Sequence, residues 1–329
     1  MLSRRNLIAL GAGALSARAA LPSVVFAQTK YPDRPIRLVI SFPPGGSYDA
    51  VGRPWADKMK PLLGTVVVEN VGGGGGSLAA GQVSRAQPDG YTILLGGSGA
   101  VVLYRLTRSR PQYNPEDLEP VSVLAITSYA IAVHPSVPAR TLKELVEYGK
   151  ANPGKLSYGS AGVGSLNHLA GELFKSLVKS PDIVHVPYRG AGPAISDAIS
   201  GQIPIVIPAV NGQLLEYHRG GQLRVLAVTG QERLAGAPDI PIAAEAGVPG
   251  LLVQNYICLF TPTGTPAAIK EQIALATNTG MADEALRQNF IRSGVEPPRD
   301  ASADAFRRFA TDELARWTPI IQGIGLKLD

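Results

Sequence analysis

The chain has 329 residues, 45% of them apolar and 17% charged, with a formal charge of +5 at pH 7. Its single cysteine, Cys258, excludes a disulfide framework and a thiol-based metal site. No basic stripe interleaved with aromatics occurs, which argues against nucleic acid as a partner.

Residues 1–27 read as an export signal. Ser3-Arg4-Arg5-Asn6-Leu7-Ile8 has the twin-arginine pattern, a weakly apolar stretch follows, and Val25-Phe26-Ala27 offers a cleavage site before Gln28. The apolar part is too short and too rich in Gly and Ala for the ~20 residues of a membrane span. Its removal deletes Arg4, Arg5 and Arg18 and no acid, so the charge falls from +5 to +2. A periplasmic location is expected, with enough chain left for two domains.

Residues 36–41 read as a buried strand, because the apolar run after Arg37 is continuous rather than alternating. The loop Phe42-Pro43-Pro44-Gly45-Gly46 leads into a helix over 47–63, with Val51, Trp55, Met59 and Leu63 at helical spacing. Pro54 is tolerable there only within the first turns. A strand over 66–69, a Gly-rich loop over 72–76, a helix over 77–85 and a strand over 91–95 complete a βαβαβ rhythm. That rhythm implies a parallel sheet with its loops gathered at the strands' carboxyl ends.

Residues 118–129 and 130–134 read as paired strands leading into a second region. Thr141-Leu142-Lys143-Glu144 is a capping box that opens a helix ending near Asn152. Strands over 156–158, 183–187, 203–208 and 223–228 then alternate with helices over 165–177 and 193–200. Residues 251–260 lead back, and amphipathic helices over 266–281 and 301–321 cover the first sheet. The expected division is lobe 1 from 28–125 plus 254–329 and lobe 2 from 126–253, with a cleft between two α/β lobes.

Gly/Ser loops that follow a strand and open a helix put backbone N–H groups and hydroxyls at the positive end of a helix, a setting for an anion. In the first loop Pro44, Gly45 and Gly46 let the backbone approach a ligand, and Tyr48 lies beside them. Ser47 donates to a carboxylate or caps the helix. Asp49 either stabilises the first turn or faces the cleft and selects a ligand with a cationic group. Ser77 and Ser98 are candidates for the ligand's far end, or plain helix caps. Ser160, Ala161, Gly162, Gly164 and Ser165 form the second anion loop. His168 touches ligand or hinge, or is locked by local hydrogen bonds. Tyr188 is placed to close over the ligand, Arg189 to pair with its charge, and Asn211 to line the same cleft. His134, His185 and His218 lack metal-ligand spacing and read as structural. No catalytic residue, metal or cofactor is expected.

Several ordered motifs carry a resemblance. Tyr31-Pro32-Asp33-Arg34-Pro35-Ile36-Arg37, Phe42-Pro43-Pro44-Gly45-Gly46, Val67-Val68-Glu69-Asn70 and Pro88-Asp89-Gly90-Tyr91 come first. Asn152-Pro153-Gly154-Lys155-Leu156, Tyr158-Gly159-Ser160, His168-Leu169-Ala170-Gly171-Glu172, His185-Val186-Pro187-Tyr188 and Gly264-Thr265-Pro266 follow. Together they resemble the periplasmic receptors of tripartite tricarboxylate transporters, the Bug or TctC proteins. The resemblance implies a type II periplasmic binding protein fold, a Venus-flytrap cleft and no catalysis. It implies a small organic acid as ligand, most readily a dicarboxylate, held by residues 43–47 and 160–165 partly through ordered waters. It also implies a membrane permease as partner, and a monomer is expected. The chain departs from the common pattern at 71–76, at 207–211 and at 256–258.

Two rivals follow from the same residues. A nucleotide-binding α/β enzyme would also use glycine-rich βα loops, but neither Gly-x-Gly-x-x-Gly nor Gly-x-x-x-x-Gly-Lys-Ser/Thr follows the first strand. A periplasmic sensor subunit would need the same closed cleft as a transport receptor.

Overall fold

Strand β1 (Ile36–Ile40) is buried except at Arg37, as the unbroken apolar run requires when helices cover both faces of a sheet. Helix α1 (Ser47–Leu63) runs through Pro54 and Pro61 without ending. A buried stripe of Val51, Trp55, Met59 and Leu63 offsets the ~3 kcal/mol that an interior proline costs. The computed structural model describes residues 31–323 and 325–326, so the export-signal reading lies outside the described residues. All elements below belong to one unit that begins at Arg34.

The first half continues with β2 (Val66–Asn70), α2 (Ser77–Ser84), β3 (Thr92–Gly96), the single turns α3 (Ser98–Val101) and α4 (Tyr104–Thr107), and β4 (Leu118–Ser128). The middle holds β5 (Ala130–Val133), α5 (Leu142–Ala151), β6 (Ser157–Ser160), α6 (Leu166–Val178), β7 (Val184–Pro187), α7 (Ala191–Ile199), β8 (Ile205–Val206), α8 (Gly212–Arg219) and β9 (Arg224–Val228). Strand β10 (Gln254–Pro262) and helices α9 (Ala267–Met281), α10 (Glu284–Arg292) and α11 (Ala303–Gly323) finish the chain. The first half of the α5 capping box forms, with Thr141 Oγ1 accepting the Glu144 N–H at 3.1 Å, while the Glu144 carboxylate accepts the N–H of Arg140, one residue before the cap, at 2.6 Å.

Two five-stranded sheets result, in the orders β2-β1-β3-β10-β4 and β7-β6-β8-β5-β9. In the first, β1 is parallel to β2 and β3, while β10 runs antiparallel to β3 and β4. The second repeats the plan, with β6 parallel to β7 and β8 and with β5 antiparallel to β8 and β9. Strands β4 and β5, expected to pair, do not. They are one crossover: β4 closes the edge of the first sheet and β5 enters the interior of the second. An apolar run two strands long carries no sign of the single residue, Tyr129, at which it changes sheets.

Thr229 ties this crossover to the returning one. Its hydroxyl donates to the Val253 carbonyl at 2.6 Å and accepts the Tyr129 N–H at 2.9 Å. Its own N–H reaches the Tyr129 carbonyl at 2.8 Å. One buried side chain thus holds both connections side by side.

Candidate ligand-binding site

The chain leaves β1 for β2 on one side and then returns to β3 on the other, so the strand order reverses at β1. The same reversal occurs at β6, between β7 and β8. In α/β sheets the loops at such a reversal diverge and open a crevice at the carboxyl ends of the strands. Both Gly/Ser loops lie at these points: 41–46 runs from β1 into α1, and 161–165 runs from β6 into α6. Each helix offers first-turn N–H groups that have no partner within it.

The halves meet beside these loops. Ser47 Oγ donates across to the Val210 carbonyl at 3.3 Å, which also receives Thr127 Oγ1 at 3.2 Å. Gly99 lies between the Gly75 carbonyl and Leu166, and a Cβ at position 99 would stand 3.8 and 3.9 Å from them. Pro44, Gly45 and Gly46 remain at the surface of their loop, and Gly46 leaves α1 without a side-chain cap.

Asp49 is turned to the loop itself. Its carboxylate accepts the Gly45 N–H at 3.1 Å, Arg53 Nε at 2.9 Å and Asn70 Nδ2 at 3.1 Å. Burial works against its charge, but Arg53, Gly45 and Asn70 outweigh it and hold the carboxyl below its usual range. Of the two roles open to Asp49, these contacts are those of the structural one: it folds the first Gly/Ser loop and is neutralised by Arg53.

The expectation that Tyr48 and Ser98 meet a ligand is corrected, since both side chains are buried and bonded inward. Tyr48 packs its ring 4.5 Å from Phe42 and accepts Asn255 Nδ2 on its hydroxyl at 2.9 Å. Burial pushes its phenol far above the usual range. Asn255 Oδ1 accepts the Ser98 N–H at 2.9 Å, and Ser98 Oγ, fully buried, accepts the Tyr256 N–H at 3.3 Å. Asn255 was missed because nothing in an apolar strand marks one asparagine as the partner of a loop 157 residues away.

The second loop is internally knotted. The Gly162 carbonyl receives Ser165 Oγ at 2.7 Å, the Ser165 N–H at 3.2 Å and Ser160 Oγ at 3.3 Å. The Gly162 N–H returns to Ser160 Oγ at 3.1 Å. Ser165 then caps α6 by accepting the His168 N–H at 3.2 Å, and the Gly164 N–H donates to His168 Nδ1 at 3.2 Å. Ala161 and Gly164 are partly exposed backbone of this loop. His168 is therefore a loop support, buried and stacked 4.1 Å from His185.

His185 sits 2.7 Å from Ser160 Oγ and stacks on Tyr158 at 4.9 Å, a placement set by the Tyr158↔His185 register of β6 and β7. Glu172 and Lys175 form an ion pair at 3.0 Å on the same side, with Tyr158 donating to Glu172 at 2.8 Å. Burial, and the neighbouring His168, push the His185 pKa down to about 4. A histidine depressed on folding binds more protons when unfolded, so stability is complete above pH 6.5 and is lost as pH falls toward 4. Urea unfolding at pH 7 and pH 4.5 is expected to differ by roughly 1–2 kcal/mol from this ring, after discounting for its partial exposure. His185→Gln should flatten that pH dependence, and an unchanged slope would refute the assignment.

The remaining candidates divide. Tyr188 donates its hydroxyl to Asp197 Oδ2 at 2.7 Å, so it braces α7 rather than standing ready to close. Arg189 is exposed and forms no ion pair among the described residues. Asn211 caps α8, its Oδ1 accepting the Leu214 N–H at 2.9 Å. Ser77, nine-tenths buried, lines a pocket with Arg108 and Arg110 rather than with the other candidates. The described residues contain no cluster of three or more His, Cys, Asp or Glu side chains able to hold a metal.

A family model for tripartite tricarboxylate transporter family receptors matches residues 51–326. The chain belongs to this family. Protein BugT of Bordetella pertussis is 34% identical over 322 residues, spanning 96% of this chain and 97% of BugT. Among solved structures, Rpa4515 of R. palustris with adipate is 30% identical with a TM-score of 0.83, covering 91% of this chain and all of that one. MatC of Rhodopseudomonas palustris with bound malate is 28% identical with a TM-score of 0.79, covering 88% of this chain and all of that one. The two-lobed periplasmic binding protein architecture is that of the family, and the chain is a solute-binding protein of the TctC type. Asn255 and Thr127, which no sequence motif marks, and His185, read from sequence as structural, hold the residues around the two Gly/Ser loops in place from behind.

Proposed function

We propose that the protein captures a small organic acid, a dicarboxylate, between its lobes and presents it to a membrane permease of the tripartite tricarboxylate type. The observation that carries this reading is the pair of helix N-termini, α1 and α6, each opened by a Gly/Ser loop at the point where its sheet reverses strand order. Two positive helix ends suit a ligand with an acid group at each end. The carboxylates are held by first-turn N–H groups of α1 and α6 other than those of Gly45, Gly162, Gly164 and Ser165, which the loops use internally, and Arg189 at the rim supplies a counter-charge. Closure removes the ligand from water, which strengthens these bonds. The site binds without transforming its ligand, because its titratable groups are committed: Asp49 to Arg53, and His168 and His185 to the loop backbone and Ser160. Malate and adipate, held by the two solved relatives, set the range of chain lengths to try.

A thermal-shift panel of C4–C8 dicarboxylates, citrate, Asp, Glu and aromatic acids tests this. A true ligand at about 100 times its Kd should add ~2.7 kcal/mol of stability. If no acid in the panel raises the melting temperature, the reading fails.

A further inference from the structure

We propose that His168 makes the second Gly/Ser loop acid-sensitive: its ring props the loop through an acceptor nitrogen, and protonation there releases the loop and weakens ligand binding. The inference rests on the ligand site proposed above and adds its regulation by pH.

Atom types fix the role of the ring. The Gly164 N–H donates to His168 Nδ1 at 3.2 Å, and a backbone amide can only donate. Nδ1 is therefore the unprotonated nitrogen of a neutral imidazole. In imidazolium both nitrogens carry protons, so two donors would face each other across this bond. The ring has little room to turn aside. The His168 N–H is held by Ser165 Oγ at 3.2 Å, and its carbonyl accepts the Tyr158 hydroxyl at 3.1 Å. The ring is buried against His185, 4.1 Å away, and the neighbouring Asn167 donates to the Ile207 carbonyl at 2.8 Å. The loop is the part that yields, since residues 161–165 are all at least partly exposed whereas 166–170 are buried. Its displacement reaches the ligand site through Ser165, which closes the loop on the Gly162 carbonyl at 2.7 Å and also caps the first turn of α6.

The groups around the ring set the pH window. They are Glu172 and Lys175 on α6, Tyr158 on β6 and His185 on β7. Burial lowers the His168 pKa below its ordinary 6.5, while Glu172 raises it and Lys175 lowers it. Glu172 is itself engaged by Lys175 at 3.0 Å and by the Tyr158 hydroxyl at 2.8 Å. His185, with its pKa at about 4, takes up its proton only in stronger acid, where it would set a second cation 4.1 Å from the first. A depressed histidine is neutral at and above pH 6.5, so the loop is intact there and is released as pH falls below that value.

Calorimetric titration of the full chain with the acid found by the panel, at pH 7.5 and pH 4.5, tests the inference, with far-UV circular dichroism to check that each protein stays folded. His168→Asn is the reference, because asparagine places Oδ1 where Nδ1 stands and so supplies an acceptor that does not titrate. It should bind like the parent at pH 7.5. Between the two pH values the parent's Kd should rise by about three- to tenfold more than that of His168→Asn, as its competent fraction falls. Ionisation of the ligand affects both proteins alike and drops out of that ratio. His168→Leu, with no acceptor, should bind roughly tenfold more weakly already at pH 7.5. His185→Gln keeps His168 and should keep the loss in acid. The inference is overturned if His168→Asn loses affinity in acid as the parent does. It is equally overturned if the parent gains affinity relative to His168→Asn, which would make the ring a charge for the ligand and not a prop for the loop. A second readout needs no ligand: in the free protein the Gly164 amide proton resonance should shift as His168 titrates, and should stay fixed in His168→Asn. An amide that follows no titration in the parent overturns the inference even where an acid binds. Should no acid bind, the same resonance still shows or refutes release of the loop, so the two failures are distinguishable.

Discussion

Gly162→Ala is expected to lower affinity for the organic acid by roughly 30- to 100-fold, the equivalent of one or two charge-assisted hydrogen bonds lost. Gly162 sits at φ +121°, where an L side chain is strained, and a Cβ would stand 3.2 Å from the Tyr188 carbonyl. Its carbonyl is the common acceptor for both serines of the loop, and its N–H returns to Ser160. Any rotation that relieves the strain at position 162 therefore releases Ser160 and Ser165 together and displaces the loop that the proposed function sets against the ligand. Calorimetric titration with the acid found by the panel reads the effect. Gly154→Ala is the control: it too has positive φ, +75°, but open space around it and a place at the far end of α5. It should cost about 1–2 kcal/mol of stability from left-handed strain alone and leave affinity unchanged. Equal losses of affinity in both variants would mean that global stability, not loop geometry, governs binding.

The fold was legible because each element is locally consistent. The Val51–Trp55–Met59 stripe bounded α1 at Ser47 and Leu63, and Thr141 capped α5 through the implied bond from the Glu144 N–H, while the Glu144 carboxylate took the N–H of Arg140 in place of that of Thr141. Where local signals were thin, elements were missed. Helix α10 buries only Leu286 and Phe290, and helix α8 only Leu214 and Leu215, too few to show a period. Strand β8 shrank to two residues because Pro204 and Pro208, which flank it, cannot donate to a ladder. Within the candidate site, sequence located the loops but not the direction of their side chains. Ser47 and Tyr48 are adjacent, yet one reaches across the lobes and the other inward to Asn255. That choice depends on Asn255, 207 residues from Tyr48, and no loop motif contains it.

This dependence gives the largest stability effect expected. Gly97→Ala should destabilise the protein by roughly 2–5 kcal/mol, combining overpacking with a buried donor left unpaired. Backbone strain is not the cause, because φ at Gly97 is −155°, extended geometry open to any residue. The cause is contact: a Cβ would lie 2.0 Å from the Tyr48 hydroxyl and 2.5 Å from Asn255 Oδ1. Neither group can retreat freely, since Tyr48 is wedged against Phe42 and Asn255 lies buried in β10. Moving Asn255 strands the Ser98 N–H, and moving Tyr48 displaces the first turn of α1, which opens the first anion loop. Tyr48→Phe removes the nearer clash and leaves Asn255 Nδ2 without its acceptor. Alone it should cost about 1–2 kcal/mol, and in the double variant it should recover about 1 kcal/mol or more of the Gly97→Ala loss. Urea unfolding of the four proteins measures that coupling. Additivity within about 0.5 kcal/mol would show that the two residues do not share this contact. A positive coupling carries a second consequence: the double variant, with α1 restored to its place, should bind the acid more tightly than Gly97→Ala alone, although the Tyr48 side chain is buried.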